Sequence, residues 1–128
     1  MKDFQMLFMG DAGIEAYNSV NNDIDNENIE ILKVGHHGAR GVVDSDMVSK
    51  LNPQVSLVST GKNTFGHPNK ATLDILRNTD IYRTDRNNSI EVTVNSNRFD
   101  VSTYDQKAHK YKKFKSYSAI TIKDDKMP

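Results

Sequence analysis

The chain has 128 residues, 36% hydrophobic and 27% charged, with no cysteine and a formal net charge of zero. That length holds one domain with a core of its own. It has no apolar run near the roughly 20 residues of a membrane helix, no disulfide framework, thiolate metal site or cysteine nucleophile, and no overall charge for whole-surface nucleic-acid binding. The start, Met1-Lys2-Asp3-Phe4, lacks the apolar stretch of a signal peptide, so the cytoplasm is the default expectation. Charge is unevenly placed: from Asp105 onward there are seven lysines against three aspartates, a local net of +4.

In chain order, residues 4–9 read as a buried strand ending at Gly10-Asp11, and residues 14–20 as a short helix. Residues 21–28 form a polar Asn/Asp loop. Residues 29–34 are a second strand, closed by Gly35, with a loop over 36–43. Asp44 or Ser45 caps a helix to about Leu51, which places Met47, Val48 and Leu51 on one face. Asn52-Pro53 ends it. Residues 55–59 are a third strand and 61–68 a loop. Asn69 caps a helix through about Arg77, and 81–83 are a fourth strand.

The period then changes. Ile90, Val92 and Val94 alternate with polar residues, as do Phe99 and Val101, and turn clusters flank both runs; they predict a hairpin of half-exposed strands. Beyond residue 105 the apolar periodicity fades into a basic, aromatic extension. It is expected to be a solvated tail or, through Lys110, Lys112 and Lys113 beside Tyr111 and Phe114, a nucleic-acid contact. Residues 119–122 are a candidate last strand and 123–128 a frayed end.

The residues with chemistry stand where strands give way to loops: Asp11, His36-His37 between two glycines, and His67 before Pro68. Carboxylate and imidazole suit Zn²⁺ or Mn²⁺. Asp11 either caps the next turn or binds a cation. Adjacent side chains diverge, so at most one of His36 and His37 is expected to ligate directly, with the other facing substrate. A cation held there would lower the pKa of a bound water. Other templates fail: there is no Walker loop, no dinucleotide fingerprint, no nucleophile elbow and no His-Glu-x-x-His.

Taken together, Leu7-Phe8-Met9-Gly10-Asp11, then Ile31 to Ala39 with its Gly-His-His-Gly, then Val58-Ser59-Thr60-Gly61-Lys62-Asn63 with Phe65-Gly66-His67-Pro68, then Ile81-Tyr82-Arg83-Thr84-Asp85, resemble the C-terminal part of the metallo-β-lactamase-like domain of ComEC-type competence proteins and the free-standing hydrolases related to them. The resemblance covers about residues 4–102. It implies an α/β (α+β) chain, half of an αββα sandwich, with a mixed sheet and helices on one face. It divides the chain into residues 1–104, the domain part, and residues 105–128, the extension.

The resemblance also implies a two-metal hydrolase, a phosphodiesterase or nuclease in DNA uptake. Asp11, His67 and His36 match metal-ligand positions, His36, His37 and Lys62 catalytic ones, and Asn63 and Arg83 substrate-side ones, with Asp85 beside Arg83. Two departures stand out. Ala39 replaces the family's usual serine, and the His-x-His-x-Asp-His motif is absent, so the two-metal site is incomplete in this chain. The expected partners are therefore the complementary N-terminal half or a second copy covering an exposed sheet face, and nucleic acid. Two alternatives stay open: a non-catalytic nucleic-acid-binding or interaction module, and a hydrolase of another phosphoester or ester.

Overall fold

Residues 31–34 and 55–58 are nearly continuous buried runs, so these strands bury both faces against different partners, whereas the later, alternating strands bury one. The computed structural model describes residues 4–24 and 28–119. Its elements are β1 (Met6–Phe8), α1 (Ile14–Val20), β2 (Ile31–Lys33), α2 (Ser45–Leu51), β3 (Val55–Val58), α3 (Lys70–Ile75), β4 (Asp80–Arg83), α4 (Thr84–Asn87), β5 (Ile90–Asn95), β6 (Arg98–Asp105) and β7 (Lys110–Ser118), with one 3₁₀ turn at His36–Gly38. The chain is α+β. Strands β1-β2-β3-β4 form a parallel sheet in that order, and β5-β6-β7 an antiparallel one.

In the parallel sheet Ile31 pairs with Val55 and Val55 with Asp80, so the four strands start and finish nearly level. One face meets the helices. There Leu32, Val34 and Val58 pack with Tyr17 of α1, Met47 and Leu51 of α2, and Leu76 at the end of α3. The other face carries Ile31, Val55, Leu57 and Tyr82, which pack against Phe99, Val101 and Tyr117 of the antiparallel sheet. Phe99 is 1% exposed and stacks on Tyr117 at 4.9 Å between ring centroids.

The caps behave as the sequence predicts. The Asp44 carboxylate accepts from the Met47 amide at 2.8 Å, and the Asn69 side chain accepts from the Ala71 amide at 2.9 Å. The hairpin forms as β5 and β6, with Val92 opposite Val101.

Three features differ from the sequence reading. The stretch expected as a solvated extension contains β7, which pairs with β6 over its whole length, with a bulge between Val101 and Ser102. Its apolar pattern is faint because most of its residues face solvent and only Tyr117 is buried. Consequently the inner face of the parallel sheet is not left bare: the chain's own second sheet covers much of it. Arg86 and Asn87, read with Asn88 as a turn cluster, belong to a short helical turn, Thr84–Asn87. Of the candidate strand over 119–122, Ala119 lies outside any strand and the remainder, like 123–128, lies outside the described residues.

Candidate functional site

Because all four strands of the first sheet run the same way, the loops that follow them emerge at one edge. The carboxyl ends of parallel strands are where open α/β sheets bind ligands. Asp11 follows β1, His36 and His37 follow β2, residues 59–68 follow β3, and Thr84 and Asp85 follow β4.

Backbone bonds draw these loops together. The His36 amide donates to the Gly10 carbonyl at 2.8 Å, which ties the β2 loop to the residue before Asp11. The Asn69 amide donates to the Gly38 carbonyl at 2.8 Å, and the buried Thr72 hydroxyl donates to the Ala39 carbonyl at 2.8 Å. These bonds press the 3₁₀ turn against the segment that carries His67. Gly38 is required here: its φ is +77°, and a Cβ on it would stand 2.8 Å from Pro68 Cβ.

His36 and His37 themselves have φ of 45° and 56°. Left-handed backbone at two successive non-glycine residues is uncommon and strained. Its effect is that the adjacent rings do not diverge, as adjacent side chains were expected to. The His36 ring lies 5.6 Å from that of His67, the His37 ring 6.5 Å from it, and the two 6.2 Å from each other. His37 Nδ1 lies 2.7 Å from the Ser59 carbonyl oxygen. A carbonyl only accepts, so Nδ1 carries the proton and Nε2 of the neutral ring keeps its lone pair.

A small cavity of about 200 Å³ lies beside these rings, lined by His37, Thr60, Lys62, Asn63, Phe65 and His67. Lys62 is exposed at its rim. Asn63 shapes the loop. Its carbonyl oxygen accepts from the Phe65 and His67 amides, and its amide nitrogen donates to the carbonyls of Gly61 and His67. The side chain matched to a substrate-side position is thus engaged with its own loop.

Asp11 is exposed, and among the described residues its carboxylate has no hydrogen bond or ion pair. Nor does it cap α1, whose N-cap is Gly13. Arg83 holds Asp85 with two parallel bonds of 3.0 and 2.8 Å, and these keep the Asp85 carboxyl below its ordinary pKa. Lys112 pairs with Asp105 at 2.9 Å and Lys113 with Asp100 at 3.3 Å, both across the antiparallel sheet. Lys110 is exposed at the start of β7.

Imidazole and carboxylate are the right donors for Zn²⁺ or Mn²⁺. Their number and spacing fall short: among the described residues no three His, Asp or Glu side chains are placed to enclose a cation. The three histidines and the loop of Asp11 therefore do not by themselves make a metal centre.

Sequence reasoning missed Ser59, which orients His37 through its carbonyl, and the Thr60–Thr84 pair. The Thr60 amide donates to Thr84 Oγ1 at 2.8 Å and that hydroxyl donates back to the Thr60 carbonyl at 2.7 Å, joining the loops after β3 and β4. A backbone carbonyl leaves no mark in a sequence; a threonine at the end of each of two parallel strands is the one trace that was there.

No protein-family model matches the chain, and no solved structure matches it. Over 88 residues, 66% of the chain, it is 34% identical to ComE operon protein 3 of Bacillus subtilis (strain 168). The matched stretch spans 11% of that protein's length.

Proposed function

We propose that this chain carries one side of a metal-dependent hydrolase site acting on phosphodiesters, and that residues from a complementary segment complete it. The observation that carries the reading is the gathering of three imidazoles from two loops, two of them on left-handed backbone, with the His36–Gly10 bond tying them to the loop that carries Asp11, a carboxylate that does not cap α1. A divalent cation held there would supply a Lewis acid and a water of lowered pKa. Such a cation would be held by imidazole nitrogens of His36, His37 or His67, and the Ser59 carbonyl fixes the tautomer of His37. Lys62, at the cavity rim, would meet an anionic phosphate bound there. The likeness to ComE operon protein 3, together with the resemblance to ComEC-type competence proteins, supports DNA as the phosphodiester and DNA uptake as the setting.

The test is Zn²⁺ and Mn²⁺ binding by the purified chain, followed by calorimetry and by the histidine ring signals in NMR. Saturable binding that His67→Ala and His36→Ala each weaken at least about tenfold, some 1.4 kcal/mol, is the expected result. Binding indifferent to both substitutions would overturn the reading. Cleavage of bis(4-nitrophenyl) phosphate but not of 4-nitrophenyl acetate, by the chain joined to its complementary segment, would separate phosphodiester from ester chemistry.

A second reading, a nucleic-acid-binding module without catalysis, draws on β7, where Tyr111 and Phe114 are 42% and 64% exposed among lysines. It requires DNA binding that falls steeply with salt and is lost when Lys110, Lys112 and Lys113 are replaced by alanine.

A further inference from the structure

Where the two sheets part, at the carboxyl end of the parallel strands, they leave an open apolar groove of about 480 Å³. Its walls include Phe8 of β1, Leu57 of β3, and Val92 and Val94 of β5. Phe8 is 68% and Val94 45% exposed, so these apolar side chains meet water. Both β1 and β5 are edge strands, and among the described residues nothing closes the groove.

One cation stands in it. Strand alternation turns Leu32 toward the helices and therefore turns Ile31 and Lys33 toward the second sheet. Ile31 is covered there. Lys33 is half-buried and lines the groove. Its ammonium donates to the carbonyl of the adjacent Val34 at 3.1 Å, and no carboxylate among the described residues pairs with it. The carboxylates of Asp80, Asp85, Asp100 and Asp105 are all engaged elsewhere. Burial holds the Lys33 amine below its ordinary pKa, the mark of a cation short of counter-charge. A lysine that only covers apolar surface extends its head to water; this one turns back to its own backbone. Ser59, exposed, lines the same groove.

We infer that this groove binds a small organic anion with an apolar body, its head on Lys33 and its body between the sheets. The size lies in the range of small-molecule sites, and apolar walls with one fixed polar anchor are their usual make-up. The inference stands apart from the hydrolase reading, because none of its groups is a proposed metal ligand.

Matched ten-carbon probes test it: decanoate, decyltrimethylammonium and decanol, each titrated below its aggregation concentration by calorimetry. Decanoate is expected to bind one to one and at least about tenfold more tightly than the cation, since its carboxylate can accept a charge-assisted bond from a partly desolvated ammonium. Lys33→Met should remove that preference while decanol binding persists. Val92→Trp, which fills the groove, should weaken decanoate and decanol alike. Equal affinity for anion and cation, or decanoate binding unchanged in Lys33→Met, overturns the inference. So does an absence of saturable binding, or self-association that competes with decanoate and disappears in Val94→Lys, which would give the groove to a second copy.

Discussion

The two sheets of this chain are built to different ends. The parallel sheet is short-stranded, buried on both faces, and finishes in loops held in uncommon backbone: Gly10, His36, His37, Gly38 and Gly66 all have positive φ. The antiparallel sheet is longer-stranded and largely exposed, and Lys112 and Lys113 pair with acids of the neighbouring strand. Side chains with metal or nucleophile chemistry lie at the edge of the first sheet; the second contributes a cover. Positive φ also occurs in the turns of the second sheet, at Asn88, Ser96 and His109; what sets the first sheet's loops apart is two such residues in succession, His36 and His37, beside a third imidazole.

The hardest blow to that contrast would be a cover that can be damaged cheaply. Phe99→Ala empties a fully buried ring site between the sheets and should cost about 3–5 kcal/mol in chemical denaturation. In the fraction that remains folded, histidine-dependent metal binding should survive; its loss would show that the cover also shapes the site. Gly38→Ala is the converse. A Cβ against Pro68 on a left-handed backbone should cost about 1–3 kcal/mol, and it should push His36 and His37 away from His67 and abolish metal binding. Stability loss with binding intact would mean that the strained turn is not what assembles the rings.

The seam between the sheets is polar at one point. Tyr117 donates to Asp80 at 2.6 Å, its hydroxyl lies 2.7 Å from that of Tyr82, and Lys115 reaches Asp80 at 2.9 Å. Burial, then the Asp80 bond, pushes the Tyr117 hydroxyl above its ordinary pKa. Tyr117→Phe should therefore cost about 1–2 kcal/mol. The bonds from Tyr117 and then Lys115 hold the Asp80 carboxyl below its ordinary value of 3.8. A carboxyl depressed by folding stabilises above its unfolded pKa and stops doing so as pH falls through its folded one. Denaturation midpoints measured from about pH 5 down to pH 2 should fall less steeply in Asp80→Asn than in the parent chain. The smallest effect is expected at the exposed Lys112–Asp105 pair: Lys112→Ala should change stability by less than about 0.5 kcal/mol, because exposed ion pairs contribute little.

Much of the first sheet was legible beforehand. Helices α1 and α2, the Asp44 and Asn69 caps and the β5–β6 hairpin follow from periodicity and short-range hydrogen bonding, which depend on residues within a few positions of each other. β7 was not legible. Its lysines and exposed rings carry no alternation strong enough to mark a strand, and Tyr117, 8% exposed, is the one large side chain there that finds the core. The candidate site was half legible. Asp11, His36, His37 and His67 announced themselves by type and by their place after strands, whereas the roles of Ser59, Thr60 and Thr84 arise from contacts 22 to 24 positions apart.

What the order of residues determined by itself is the set of short strands and capped helices, and the kind of donors that stand after them, because these rest on local propensity and on the chemistry of single side chains. What only the folded chain decided is convergence. Parallel pairing sends four loops to one edge, left-handed backbone keeps two neighbouring imidazoles beside a third, and a second sheet closes over the first but leaves Lys33 facing an unfilled groove. Such distances are set by packing among residues remote in sequence, and no local pattern carries them.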